Sequence, residues 1–160
     1  MSHQKSTTRL SVRSPMPSDL EGLLERVNAA KGPDREIDAR IWCHFEGKRF
    51  KEAWTGYRET TQVYYTEPPG RKLCVSQPDA IAPVSSSVDA ALGLVERMLP
   101  GCDWFIEMSR DYRQPYRVLV ARDDYCSEAA DHLTAPLCIL AALLTALIEQ
   151  RKAESKQGEG

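Results

Sequence analysis

Basic and aromatic side chains mix across residues 46–72: Arg49, Trp54, Tyr57, Arg58, Tyr64, Tyr65, Arg71 and Lys72. Aromatic faces stack on bases and guanidinium groups clasp phosphates, so the combination suits a nucleotide or a single-stranded nucleic acid. Arg49, Trp54, Tyr57, Arg58, Tyr64 and Arg71 are therefore the candidate ligand contacts. Glu46, Glu52, Glu59 and Glu67 interleave with them and dilute the positive field. The plainer account of the same stretch is a set of core or half-buried sheet aromatics in a small α+β protein.

A second constellation is acidic. Asp34 and Asp38 are four apart and share a helix face, as metal-site carboxylates can. Acids in a first turn are also expected from the helix dipole alone, and Arg35 and Arg40 stand close enough to neutralise them. The histidines are His3, His44 and His132. Cys126 and His132 lack zinc-ligand spacing, and Cys43 and His44, adjacent on a helix, diverge rather than pair as nucleophile and base. The chain has no Gly-x-Ser-x-Gly, no P-loop, no Gly-x-Gly-x-x-Gly and no His-Glu-x-x-His. No catalytic residue, metal or cofactor is assigned, and the balance leans away from an enzyme.

The elements that position these residues are helices and short strands. Ser18-Asp-Leu-Glu21 is a capping box, followed by Leu20, Leu23, Leu24 and Val27 on one helical face, with Gly32 as a left-handed stop. Pro33 opens a second helix over 34–45, in which Ile37, Ile41 and Phe45 stack, giving an αα-hairpin. Glycines and prolines punctuate 46–85, where 60–66 and 72–76 read as short strands. Ser85, Ser86 and Ser87 supply caps for a third helix over 88–99, whose apolar stripe is Val88, Ala91, Leu92, Val95 and Leu99. Residues 104–108 and 116–121 form a hairpin, and 123–131 reads as an acidic loop.

The most apolar stretch is last. Leu137, Leu140, Ala141, Leu144, Leu147 and Ile148 repeat at helical spacing, and Ile139 and Leu143 carry the apolar surface round to the flank. Thr134 can cap this helix, and Arg151 and Lys152 suit its negative end. A helix apolar on most sides needs neighbours on most sides, so it is expected at the centre.

At 160 residues, 42% hydrophobic, 28% charged and a net charge of −2, the composition is that of one ordinary globular domain. The near-neutral balance argues against a dedicated duplex-DNA binder. Five dispersed cysteines without a Cys-x-x-Cys pair suit reduced thiols in a cytoplasm. No N-terminal run resembles a signal peptide, and the apolar run 137–148 falls short of the roughly 20 residues a membrane span needs. Residues 1–16 and 153–160 read as disordered tails around a domain over 17–152.

Three blocks, in this order, resemble the phage ABA (α/β/α) sandwich domain family, small uncharacterised proteins of phages and prophages. They are Leu23-Leu-Glu-Arg26 with Gly32-Pro-Asp-Arg-Glu-Ile-Asp-Ala-Arg-Ile41, then Ser86-Ser-Val-Asp-Ala-Ala-Leu92 with Trp104, then Ala135-Pro-Leu-Cys-Ile-Leu-Ala-Ala-Leu143. Together they cover roughly 18–150. The resemblance implies a sheet between helical layers and a phage or prophage origin, and it carries no established catalytic residues.

The expected fold is thus α+β: a single-domain α/β/α sandwich with a small, mostly antiparallel sheet and a central C-terminal helix. The expected function is that of a cytoplasmic accessory protein acting by binding, sequestering a small anionic ligand such as a host defence nucleotide. Two alternatives stand beside it. One is an adaptor for a phage or host protein, or a virion component, with homo-oligomerisation as a possibility. The other is a metal-dependent phosphodiesterase-like hydrolase using Asp34 and Asp38.

Overall fold

A computed structural model describes residues 19–55, 61–68, 70, 72–108, 110, 113–122, 125–127 and 131–158. The expected N-terminal tail and Ser18 of the capping box lie outside them. Along the described residues run α1 (Asp19–Ala29), α2 (Arg35–Phe45), β1 (Arg49–Thr55), β2 (Thr61–Thr66) and β3 (Leu73–Val75). A 3-10 turn (Pro78–Ala80), α3 (Val88–Met98), β4 (Asp103–Met108), β5 (Tyr116–Arg122), β6 (Tyr125–Ser127), β7 (Asp131–His132) and α4 (Ala135–Gln157) complete the order. The class is α+β, with every strand pair antiparallel.

α4 is the centre of the larger core. Pro136 to Leu144 are all buried, as are Ala146 and Ile148. α1, α3 and β5 pack against it, contributing Leu20, Leu23, Val27, Ala91, Leu94, Val95, Val118 and Val120. The α3 stripe is rotated from the expected one. Leu94 joins Ala91, Val95 and Leu99 inside, whereas Val88 is 36% exposed and Leu92 only partly buried. α4 also continues to Gln157, past the tail boundary expected at 153. Its last residues are exposed and rich in Glu, Lys, Arg and Ala, strong helix formers that need no core contact to prolong a helix.

The strands form two sheets in place of one. The first has the order β1-β2-β3; in the second, β5 pairs with β4 on one side and with β6 and β7 on the other. The 3-10 turn and α3 intervene between β3 and β4, and no described strand pairs across that gap. β1 was not read from the sequence, and part of the stretch expected as a loop supplies β6 and β7. One face of α2 meets the first sheet, where Ala39 and Cys43 pack with Val63 and Ile81. Its other face sends Ile37 and Ile41 into the core around α4. The helices thus lie inside, with a sheet on either flank.

Two helix ends differ from expectation. Gly32 is not left-handed; among the described glycines only Gly47 and Gly101 have positive φ. α1 ends at Ala29, beside the Ala30 end expected from its pattern, on the Ala30 N–H to Arg26 carbonyl bond at 3.1 Å. Thr134 occupies the N-cap position of α4, yet its hydroxyl makes no capping bond and lies buried without a partner.

Candidate functional site

The turn after α2 builds the site. Glu46 and Gly47 end the helix, and Gly47 takes φ +65°, a conformation L side chains rarely adopt. The Lys48 N–H then reaches back to the Cys43 carbonyl at 2.8 Å, closing a Schellman-type end. This reversal lays β1 along α2. Lys48, Arg49 and Phe50 come to lie beside Arg40 and His44 of α2 and Asp19, Leu23 and Arg26 of α1. Together they line an open groove of about 690 Å³.

Four cations line this groove. Arg40 holds Glu36 Oε1 through Nε at 2.8 Å and through a terminal nitrogen at 2.7 Å, and Arg26 reaches the same oxygen at 3.5 Å. Lys48 Nζ meets Glu67 Oε1 at 2.8 Å, a bond that raises its pKa. The Arg49 side chain makes no ion pair or hydrogen bond among the described residues. Glu36 takes both Arg26 and Arg40 and Glu67 takes Lys48, which leaves the Arg49 side chain without a carboxylate among the described residues. The Glu36 and Glu67 side chains are 47% and 59% exposed, and exposed ion pairs are worth only about 0–1 kcal/mol. An incoming phosphate can therefore exchange with either carboxylate.

Rings orient the cations. The Arg40 guanidinium sits 4.1 Å over the Phe50 ring, and Lys48 lies 4.4 Å from the Tyr65 centroid. Burial holds the His44 pKa below its ordinary value, Arg151 adds to that, and Asp19 opposes it. His44 is therefore a neutral hydrogen-bonding group in the groove at pH 7.

The structure divides the residues singled out in the sequence. Arg49 lines the groove. Trp54 and Tyr64 lie on the face of the first sheet turned away from α2. The register there pairs Trp54 with Gln62 and Glu52 with Tyr64, so the two aromatics are diagonal neighbours on adjacent strands. Trp54 is 56% exposed. Tyr57, Arg58 and Arg71 lie outside the described residues. Sequence reading missed Arg26, Arg40, His44 and Lys48 as groove residues. The Glu36–Arg40 spacing of i, i+4 was the one visible signal, and it reads equally as an ordinary surface pair.

Asp34 and Asp38 serve as anchors. Asp34 caps α2 by accepting the Glu36 N–H at 2.8 Å. Asp38, 1% exposed, accepts from Arg35 at 2.7 Å and from the Ser85 N–H at 2.7 Å. Arg35 also donates to Thr61 Oγ1 at 2.9 Å and to the Ile81 carbonyl at 3.1 Å, and the Asp34 N–H donates to Ser85 Oγ at 3.0 Å. The block 32–38 thus ties α2 to β2 and to the segment before α3. Burial raises the Asp38 pKa, while its bonds to Ser85 and Arg35 pull it down. Among the described residues no group of three His, Cys, Asp or Glu is placed to hold a metal ion.

The buried thiols are unreactive by environment: burial pushes Cys43 and Cys138 each up to about 11. His132 is a core residue whose Nε2 meets the Val27 carbonyl at 3.0 Å, while Nδ1 faces the Thr134 N–H at 3.4 Å. A smaller cleft of about 290 Å³ lies between α2, α3 and residues 80–84, walled by Trp42, Ala82, Ala90, Gly93 and Leu94. Among the described residues no helix is long and apolar enough to cross a membrane. Comparison with family models, curated proteins and solved structures yields no match.

Proposed function

We propose that this protein acts by binding, holding a small anionic ligand of nucleotide size in the groove between α1, α2 and β1. One observation carries the reading: Arg26, Arg40, Lys48 and Arg49, supplied by three different segments, line a single open concavity with Phe50 at its wall. Guanidinium and ammonium groups take the phosphate, and the Phe50 edge and the neutral His44 offer contacts to a base or sugar. The resemblance of the 32–41 block to phage sandwich proteins supports an accessory role in phage or prophage biology. In that setting the ligand is a host defence nucleotide, removed by sequestration.

Thermal shift with a panel of mono-, di- and cyclic nucleotides tests this. A ligand at one hundred times its Kd stabilises by about 2.7 kcal/mol, or roughly 5–10 °C for a chain of this size. The double substitution Arg40→Glu, Arg49→Glu is expected to abolish the shift. If no nucleotide moves the Tm of the unaltered protein, the reading fails.

A second reading, an adaptor for another protein, is favoured by the outward face of the first sheet. Leu73 is 56% exposed and Val75 46%, on the strand next to Tyr64. Exposed apolar patches of this kind mark contact surfaces.

A further inference from the structure

Among the described residues β4 is an unpaired edge of the second sheet, and it is built differently from the other sheet edges. β1, an edge of the first sheet, carries a bulge between Phe50 and Glu52 and an exposed Lys51, and β3 has only three residues. On the far side of β5 the edge is broken into β6 and β7. Short edges, bulges and lysines are the usual guards against edge-to-edge pairing. β4 has none of them. Its six residues run in unbroken register with β5 and contain no Lys and no Pro.

β4 also overhangs the core. Trp104, Ile106 and Met108 pair with Val120, Val118 and Tyr116 on the side facing the helices, yet Trp104 is 36% exposed and Met108 77%. On the outer side Phe105, 56% exposed, pairs with Leu119, and Glu107 pairs with Arg117, which offsets its charge. The open edge therefore carries apolar side chains on both of its faces.

We propose that β4 is a self-association strand, pairing antiparallel with β4 of a second copy about a two-fold axis perpendicular to the sheet. Directly opposed residues must point to the same side, so the axis passes through a residue rather than between two. An axis at Phe105 sets Asp103 against Glu107 of the partner strand, acid facing acid. An axis at Ile106 avoids this. It sets Trp104 against the other copy's Met108 twice over, covering both exposed side chains with an aromatic–thioether contact, and puts Phe105 over the stem of the opposite Glu107. The self-complementarity of this register is what selects a second copy as the occupant. One six-residue strand per copy makes a small interface, at the low end of the range for specific contacts.

Sedimentation equilibrium of the full chain across a concentration series tests the proposal. The expected result is a monomer–dimer equilibrium, with the β4 amides that point away from β5 protected from hydrogen exchange only where dimer is populated. Met108→Glu and Phe105→Glu, both at exposed positions, should each weaken the dimer at least tenfold while leaving the Tm of the monomer unchanged. Nucleotide-induced thermal shifts should be unaffected by either substitution, which separates this surface from the groove. A chain that stays monomeric to millimolar concentration overturns the proposal. So does a dimer that both variants leave intact.

Discussion

The two sheets are joined to the helices by different physics. The second sheet rests on α4 through Val118 and Val120, against a helix buried along more than two turns, and the contact is almost wholly apolar. The first sheet rests on α2 through a small cluster in which Ala39, Cys43, Val63 and Ile81 are the fully buried members. Trp42, Phe50, Ala53 and Tyr65 pack round them only partly buried, so this cluster is smaller and more open than the one around α4. Directional bonds add to the junction: Arg35 donates to Thr61 of β2 and to the Ile81 carbonyl, and the Ser85 N–H donates to Asp38, while within the sheet region the Val63 N–H donates to Ser76 Oγ at 2.9 Å. Burial is tolerant of surface change, whereas a bonded network depends on each member. The cationic groove lies at the other end of α2, where the Gly47 turn leads into β1, and none of these bonded residues lines it.

The sharpest test of this contrast is a cavity in each core. Leu140→Ala, at a position with 0% exposure, should cost about 3–4 kcal/mol, measured by urea unfolding. Val63→Ala, equally enclosed but in the smaller cluster, should cost about 2 kcal/mol or less. If the second loss equals the first, the smaller cluster contributes more by burial than its size allows, and the contrast is wrong.

Next in size is the network itself. Asp38→Ala strips Arg35 of its buried counter-charge and leaves the Ser85 N–H without an acceptor. The expected loss is about 3 kcal/mol, larger than for Val63→Ala, and hydrogen exchange should quicken in β2 before it does in α4. A loss below about 1 kcal/mol would mean that the network is ornamental and that the first sheet stands on packing.

The apolar region was the easier one to read. α4 announces itself by a run of Leu, Ile and Ala that no exposed helix could carry, and its central place follows from that alone. α1, α2, α3 and the 104–121 hairpin are legible for similar reasons of period and capping. β1 is not: Arg49-Phe-Lys-Glu-Ala-Trp-Thr55 interleaves charges with aromatics, and the bulge breaks its period of two. Because β1 is hidden, so is the groove it closes. Arg26 and Arg40 lie on separate helices, Lys48 and Arg49 follow a turn, and only the Gly47 reversal brings them together. The division into two sheets is equally invisible, since a strand's sequence records its faces but not its partners. Asp34 and Asp38 show the converse limit. Their spacing reads as one helix face, but Asp34 is the extended N-cap of α2 and only Asp38 lies in the helix. Asp38 meets the neighbouring Arg35 and the distant Ser85 rather than a metal site.

The smallest effect lies in the two N-caps. Ser87 caps α3 with a real bond, its hydroxyl accepting the Ala90 N–H at 3.2 Å, so Ser87→Ala should cost about 1 kcal/mol. Thr134 stands at the same position of α4 with its hydroxyl buried and unbonded. Removing an unsatisfied buried hydroxyl relieves desolvation rather than losing a bond. Thr134→Val, which keeps the shape, should therefore be neutral or slightly stabilising, within about 0.5 kcal/mol. Urea midpoints of the two variants at equal m-values decide the matter. Equal losses would show that α4, for all its burial, still depends on its cap, and the line drawn between a region held by burial and one held by directed bonds would have to move.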